Sequence, residues 1–82
     1  INDQDSKIQF NIFPNPVTNF FTVRSNQLLE NIQIYDIGGQ LIKTLMVNDT
    51  QIQVNASSLK QGMYIIVGNT RETRLTGKFV KQ

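Results

Sequence analysis

The sequence predicts an all-β domain of antiparallel strands packed as a sandwich, and three observations support this. Short runs of alternating apolar and polar residues recur along the chain, which is the pattern of half-buried strands. Turn-forming residues separate these runs at intervals of about 8–12 residues, a spacing typical of β-sandwiches. No window of about a dozen residues carries an apolar stripe of helical period, so no helix is predicted.

The strands and turns can be assigned in order along the chain. Phe10 and Ile12 alternate with polar neighbours in the first strand, which Pro14 and Pro16 end because proline fixes φ and removes a ladder donor. Two glycines after Asp36 predict a tight hairpin, since they supply the positive φ that such turns need. The predicted strands span residues 8–12, 19–25, 31–36, 40–47, 51–55, 62–68 and 73–81.

The most apolar strand, residues 62–68, is predicted to be central and covered on both faces, because its apolar run is continuous. Gly77 in the last strand is a candidate bulge. Seven strands of this kind predict an immunoglobulin-like antiparallel β-sandwich with Greek-key connections, formed by residues 8–82. Residues 1–7 are polar and are expected to be a mobile linker stub.

The segment before the central strand has the features of a tyrosine corner. Leu59, Gly62 and Tyr64 follow the spacing Leu-x-x-Gly-x-Tyr at the end of a polar corner, residues 56–61. In such a corner the tyrosine hydroxyl hydrogen-bonds to backbone a few residues upstream and locks a crossover. Gly62 would supply the permissive φ. These residues are therefore predicted to make the fold rather than to carry chemistry.

The composition limits the chemistry available to the chain. Its 82 residues fit one small domain, which buries roughly 60% of its unfolded surface and leaves little volume for an enclosed pocket. Cysteine, histidine and tryptophan are absent, which excludes disulfides, thiolate metal sites and a Ser–His–acid triad. We therefore predict no catalytic residue, no cofactor, no metal site and no enzymatic activity.

Charge is distributed unevenly, with a net charge of −2 on residues 1–59 and +4 on residues 60–82. The basic end either meets an acidic partner surface or forms a solvated strand face that discourages aggregation. Nucleic acid is not an expected partner, because Phe10, Phe21 and Phe79 fall on alternating positions where core packing is the expected role.

Other motif matches are explained by local structure. Residues 57–60 match the Ser-x-x-Lys pattern of penicillin-recognising acyl enzymes, but the further motifs of those enzymes are missing. Asp3 and Asp5 resemble the start of a calcium loop that lacks the required glycine and the final glutamate. The glycosylation sequons at Asn48 and Asn55 lie in predicted turns, where asparagine is common.

Targeting signals are not visible in this sequence. The chain begins at Ile1 rather than Met, and no stretch resembles a signal peptide. No apolar run approaches the roughly 20 residues of a membrane-spanning helix, so no direct membrane span is expected. We expect the chain to be a piece cut from a longer precursor.

Four short motifs occur in a characteristic order along the chain. They are Pro14, Asn15 and Pro16 in Phe-Pro-Asn-Pro; Asp36 and Gly39 in the strand–hairpin–strand of residues 34–42; Leu59, Gly62 and Tyr64 in Leu-x-x-Gly-x-Tyr; and the closing residues Lys78, Phe79, Val80 and Lys81. Together they resemble the Por secretion-system (type IX) C-terminal sorting domain family. Two departures from the family pattern are Phe13, where tyrosine is usual, and Gln40, where a basic residue is usual.

The resemblance implies a secretion signal at the C-terminus of a larger cargo protein in a Gram-negative bacterium. Such domains are recognised by an outer-membrane translocon and its shuttle barrel, and a surface sortase usually removes them. The implied location is the periplasm in transit, then the cell surface, outer membrane or extracellular space. Lys78, Phe79, Val80 and Lys81 are the expected translocon-recognition residues, on an edge strand that offers unpaired backbone groups for strand addition.

The alternative is a fibronectin-like accessory module that spaces domains or binds carbohydrate or protein. That alternative predicts a row of exposed aromatic side chains on one face. The sequence names neither the cargo nor the surface that a receptor reads, and it leaves open whether the domain is cleaved or retained and in which oligomeric state it acts.

Overall fold

The computed structural model describes residues 8–82, so the predicted linker stub and the Asp3–Asp5 motif lie outside the described residues. The described residues form five strands and no helix, which confirms the all-β prediction. They contain no helix of the length and apolarity needed to cross a membrane. The strands are β1 (Phe10–Phe13), β2 (Phe20–Asp36), β3 (Leu41–Asn55), β4 (Gly62–Asn69) and β5 (Arg74–Lys81).

The structure has five strands rather than the predicted seven, because two predicted interruptions lie inside continuous strands. Residues 25–31 belong to β2, and residues 48–50 belong to β3. The pairing register of these two strands shifts twice between Arg24 and Asn31, and Asn48 adopts a φ of 53°. The polar residues at these points form irregularities that bend the paired strands. Turns contain the same types of residue, so these two segments resemble turns in sequence.

The five strands form one curled antiparallel sheet, and the two-sheet immunoglobulin-like sandwich with Greek-key connections is not confirmed. The strand order is β1-β2-β4-β5, with β3 paired to β2. The first half of β2 pairs with β1 through residues 22–25, whereas the second half pairs with β4 through residues 31–36. Because β2 bends between these halves, β1 also contacts β5 at the far end of the order.

The inside of the curl is the hydrophobic core. Phe21 and Ile34, from the two halves of β2, are both fully buried there. Phe79 of β5 packs between the rings of Phe21 and Tyr64, at centroid distances of 4.6 and 5.4 Å. Phe79 therefore joins elements from both halves of the sheet. Other core residues are Val17, Val23, Leu29, Ile32, Val54, Ala56, Leu59, Ile66 and Leu75.

The apolar strand β4 lies between β2 and β5, so its predicted central position is confirmed. Tyr64 and Ile66 point into the core, whereas Met63 is 44% exposed and Ile65 is half-buried. The prediction that both faces of this strand are covered is therefore wrong at its beginning. A continuous apolar run marks an interior strand here, although one of its faces is partly open.

Two glycines allow β1 to lie close over β4 and β5. A Cβ atom on Gly68 would come within 2.7 Å of the Phe10 ring, and one on Gly77 within 2.6 Å of Cδ1 of Ile12. Gly77 pairs in unbroken register with Ile66, so it is not the predicted bulge. A strand glycine can mark either a bulge or a close approach of another segment, and here it marks the close approach.

Candidate functional site

The predicted hairpin after Asp36 is present, and the side chain of Asp36 holds it. The backbone N–H of Gly39 donates to the carbonyl of Asp36 at 3.0 Å, and Gly39 adopts a φ of 91°. One carboxylate oxygen of Asp36 accepts from the N–H groups of Gly38 and Gln40, at 3.0 and 2.9 Å. The carboxylate of Asp36 therefore accepts hydrogen bonds from N–H groups of the turn that have no partner in the β-ladder.

The corner formed by residues 56–61 contains the hydrogen bond expected of a tyrosine corner. The hydroxyl of Tyr64 donates to the carbonyl of Lys60 at 2.7 Å. Gly62 lies between them with a φ of 147°, which an L side chain rarely adopts. Leu59 is buried in the core below the corner. The Leu-x-x-Gly-x-Tyr motif is therefore a structural unit that connects β3 to β4.

The Ser-x-x-Lys match at residues 57–60 forms part of this corner, and its serine is bonded to Asn55. Both the N–H and the hydroxyl of Ser57 donate to the side-chain oxygen of Asn55, at 2.9 and 2.7 Å. Ser57 and Lys60 are exposed. The arrangement is a local turn stabilised by an asparagine side chain, as expected of a polar corner.

The closing motif alternates between the core and the solvent. Phe79 is 1% exposed and Lys81 is 8% exposed, whereas Lys78 and Val80 are exposed. The ammonium group of Lys81 donates to the carbonyl of Leu59 at 3.0 Å and so ties the end of β5 to the corner. The four residues were predicted together as translocon-recognition residues, but Phe79 and Lys81 point inward, and of the four only Lys78 and Val80 are exposed to solvent.

The Phe-Pro-Asn-Pro loop lies along the outer edge of β5. The side chain of Asn15 donates to the carbonyl of Lys78 at 3.3 Å and accepts from the N–H of Val80 at 3.0 Å. Val17 donates to the carbonyl of Val80 at 2.7 Å and accepts from the N–H of Gln82 at 2.8 Å. These bonds form a short parallel bridge between Val17 and Lys81.

The loop closes the edge that was predicted to be open for strand addition. Over residues 78–82 the outward carbonyls of Lys78 and Val80 and the outward N–H groups of Val80 and Gln82 all have partners in residues 15–17. An added strand would have to displace these bonds first. The expectation that these outward backbone groups are unpaired is therefore wrong, whereas strand addition by a partner stays a prediction.

All four motifs meet at one end of the sheet. Asp36 pairs with Tyr64, and Tyr64 pairs with Phe79, so three motifs share one row across β2, β4 and β5. The Pro-Asn-Pro loop joins them through Val17 and Lys81. We call the residues 14–17, 36–40, 56–64 and 78–82 the motif end.

Exposed apolar side chains are concentrated at or beside the motif end. Large apolar residues that remain exposed there are Phe13, Phe20, Ile37, Leu41, Ile42, Met63 and Val80. In the part of the chain that the structure describes, no cluster of acidic side chains could hold a metal ion. The arrangement is thus suited to contact with a partner surface, which buries apolar side chains.

Comparison with known protein families matches residues 11–82 to the secretion system C-terminal sorting domain, and the match contains all four motifs. The chain belongs to this family. The resemblance to type IX sorting domains is therefore confirmed, and a sorting domain implies a secreted, cell-surface or extracellular cargo that interacts with the secretion machinery. A search of curated proteins returned no match.

Sequence reasoning missed one member of the motif end of this sorting domain and the direction of another. Val17, whose backbone bridges to Val80 and Gln82, was not singled out, although it is the apolar residue directly after Pro16. The inward direction of Lys81 was also missed. The available signal was the alternation of the strand, because Lys81 lies two residues after Phe79 and therefore points to the same face.

Proposed function

We propose that this domain is a folded secretion signal that the type IX outer-membrane translocon and its shuttle barrel recognise, after which a surface sortase separates it from the cargo. The observation that carries the proposal is the meeting of four family motifs at the motif end. Two of them, the Pro-Asn-Pro loop and the tyrosine corner, contact the closing motif in β5, and the large apolar side chains of Ile37, Met63 and Val80 remain exposed at this end.

Recognition of a folded unit follows from how the motif end is built. Its bonds join residues that are far apart in sequence, such as Asn15 with Val80 and Lys81 with Leu59. A free peptide of the last nine residues cannot make these contacts. The signal therefore consists of side chains that only the complete sheet places together.

A reporter experiment tests the proposal. Residues 1–82 are fused behind a periplasmic signal peptide and a fluorescent protein, in a host with the type IX apparatus. We expect the reporter at the cell surface or in the medium. The same fusion in a strain without the translocon, and a reporter without the domain, should stay in the periplasm. Periplasmic retention of the complete fusion in the intact host would contradict the proposal.

Two further fusions separate folded recognition from recognition of a linear peptide. One lacks residues 74–82, and the other carries residues 74–82 alone behind the same reporter. We expect both to remain in the periplasm, because the first loses Phe79 from the core and the second has no sheet. Export of the short peptide alone would show that the tail is read as an unfolded sequence.

Cleavage by a sortase is tested on the cargo that reaches the surface. Mass spectrometry of the exported reporter should find a C-terminus upstream of β1, which begins at Phe10, because cleavage inside the sheet would first require its paired backbone to open. A reporter recovered with the intact domain would show that this domain is retained.

The accessory-module alternative requires a row of exposed aromatic rings. Phe13 and Phe20 are both exposed and lie on the same face. Phe13 pairs with Thr22, and Phe20 lies two residues before Thr22 in β2, so the three side chains share one face. The guanidinium carbon of Arg24, however, lies 5.1 Å from the centroid of the Phe13 ring and occupies one face of that ring. The sorting function is therefore favoured, and binding of the purified domain on a glycan array would support the alternative.

A further inference from the structure

The face of β4 and β5 that points away from the core carries a patch of apolar side chains. Met63 pairs with Val80, and Ile65 pairs with Lys78 and with Tyr35 on its other side. Residues directly opposite each other point to the same face of a sheet. We call Tyr35, Leu41, Met63, Ile65, Val80 and Lys78 the outer patch.

The outer patch is accessible and lies at the motif end. Leu41, Met63 and Val80 are 48%, 44% and 38% exposed, and Ile65 and Tyr35 are half-buried beneath them. Leu41 extends the patch onto β3, because it is the partner of Tyr35. The patch therefore crosses four strands of one face. Single exposed apolar residues are common on protein surfaces, whereas a contiguous apolar patch indicates an interaction site.

The charge on this face has one sign. Along β5 the outward residues are Arg74, Thr76, Lys78 and Val80, and their partners on β4 are Asn69, Val67, Ile65 and Met63. These paired positions contain two cations and no carboxylate. We therefore expect the partner's surface to be apolar with carboxylates at its rim, because opposite charges orient a partner and like charges repel it.

The outer edge of β5 is already paired with the loop of residues 15–17. A partner would therefore contact the closing motif through the face of β5 that points away from the core. Residues 15–17 occupy the outward backbone groups of residues 78–82, and Phe79 and Lys81 are buried. Of the closing motif, only Lys78 and Val80 remain for side-chain contact, and both belong to the outer patch.

We propose that the outer patch is the docking surface of this domain, and that its partner is an apolar, carboxylate-bearing surface of the type IX translocon–shuttle complex. The inference rests on the proposed sorting function. A patch of six residues makes an interface at the small end of the protein–protein range, where transient complexes lie. Such a contact suits a cargo that must be bound and then released.

Variants that keep the fold test this surface. Met63→Gln keeps the length of the side chain, Val80→Thr keeps its branched shape, and Lys78→Glu reverses its charge. The matched controls are Met46→Gln, at a methionine that is 69% exposed near the opposite end of the sheet, and Arg71→Glu in the turn between β4 and β5. Melting temperatures of all five purified variants should stay close to that of the unchanged domain.

Binding is measured with the purified translocon–shuttle complex in detergent. We expect Met63→Gln with Val80→Thr, and Lys78→Glu alone, each to weaken the affinity by about tenfold, and the two controls to change it by less than about twofold. Added salt should weaken binding of the unchanged domain more than binding of Lys78→Glu, because that variant has lost the attractive pair.

The outcomes separate this inference from the proposed function. If the reporter is exported and the complex binds all variants equally well, the outer patch is not the docking surface, although the sorting function stands. The inference is also overturned if the complex does not bind the unchanged domain, or if the isolated domain dimerises and Met63→Gln abolishes the dimer. If the reporter carrying the complete domain is not exported, the sorting function itself fails.

Discussion

Tyr64 and Lys81 each bring one polar group to the corner of residues 56–61. The hydroxyl of Tyr64 and the ammonium group of Lys81 donate to successive carbonyls, those of Lys60 and Leu59. A partly buried carbonyl that loses its donor costs more than the hydrogen bond contributes when it is made. These two side chains therefore hold the crossover between β3 and β4 in place.

Tyr64→Phe should lower the free energy of unfolding by about 1–2 kcal/mol, because the carbonyl of Lys60 loses its donor while the ring stays packed on Phe79. Urea denaturation of the purified domain measures this change. Tyr35→Phe is the matched control, because no hydrogen bond joins the Tyr35 hydroxyl to other described residues. Equal stability of the two variants would show that Tyr64 does not hold the corner.

Lys81→Glu should destabilise the domain by at least about 2 kcal/mol, because it places a buried carboxylate against the carbonyl oxygen of Leu59. Lys78→Glu, three residues earlier in the same strand and exposed, should change stability by less than about 0.5 kcal/mol. Chemical denaturation of both variants gives the comparison. A small effect at Lys81 would mean that its ammonium group is solvated rather than held by the corner.

The loop of residues 14–17 and strand β5 act as one element, although 60 or more positions separate them in sequence. Asn15 contributes both a donor and an acceptor, and Val17 contributes a backbone pair. Edge strands offer unpaired backbone groups to other chains, and native proteins often cover them. The loop covers this edge and also fixes the backbone position of Lys78 and Val80.

Asn15→Ala should release the C-terminal half of β5 from the loop. We expect faster amide hydrogen exchange at Val80 and Gln82, and a loss of stability of about 1–2 kcal/mol, because two hydrogen bonds are removed. Asn11→Ala, an exposed asparagine on β1, is the control and should leave the exchange unchanged. Unchanged protection at Val80 in the Asn15 variant would contradict the role of the loop.

The whole molecule depends on the close packing of β1 over β4 and β5. Gly68 and Gly77 leave room for Phe10 and Ile12, which lie on the core face of β1. This contact closes the curled sheet, because β1 reaches β5 across the core. The position of the Pro-Asn-Pro loop follows from it, since the loop continues directly from β1.

Gly68→Ala should destabilise the domain by about 1–3 kcal/mol, because the new methyl group would meet the Phe10 ring at 2.7 Å and Cδ2 of Leu29 at 3.0 Å. Thermal unfolding measures the change. Gly38→Ala is the matched control, since its nearest contact of 3.4 Å is ordinary van der Waals distance.

Replacing Phe10 by Leu in the Gly68→Ala background should restore part of the lost stability, because the smaller side chain relieves the contact. Strictly additive effects of the two changes would show that β1 does not pack against Gly68 in solution.

Local patterns of the chain were enough to predict the strand class, the hairpin at Asp36, the tyrosine corner and the family, because alternation, paired glycines and short motifs are read from neighbouring residues. They did not determine that residues 25–31 and 48–50 are bends inside β2 and β3, since bulges and turns use the same polar residues.

Which side chains of the closing motif are exposed to solvent follows from the folded sheet and not from the local sequence. Strand alternation predicted that neighbours point to opposite faces, but the curl of the sheet determined which face is the core. The same curl brought Asn15 and Val17 onto the edge of β5. Contacts between distant segments depend on how the bent strands close around the core, and no local pattern specifies that closure.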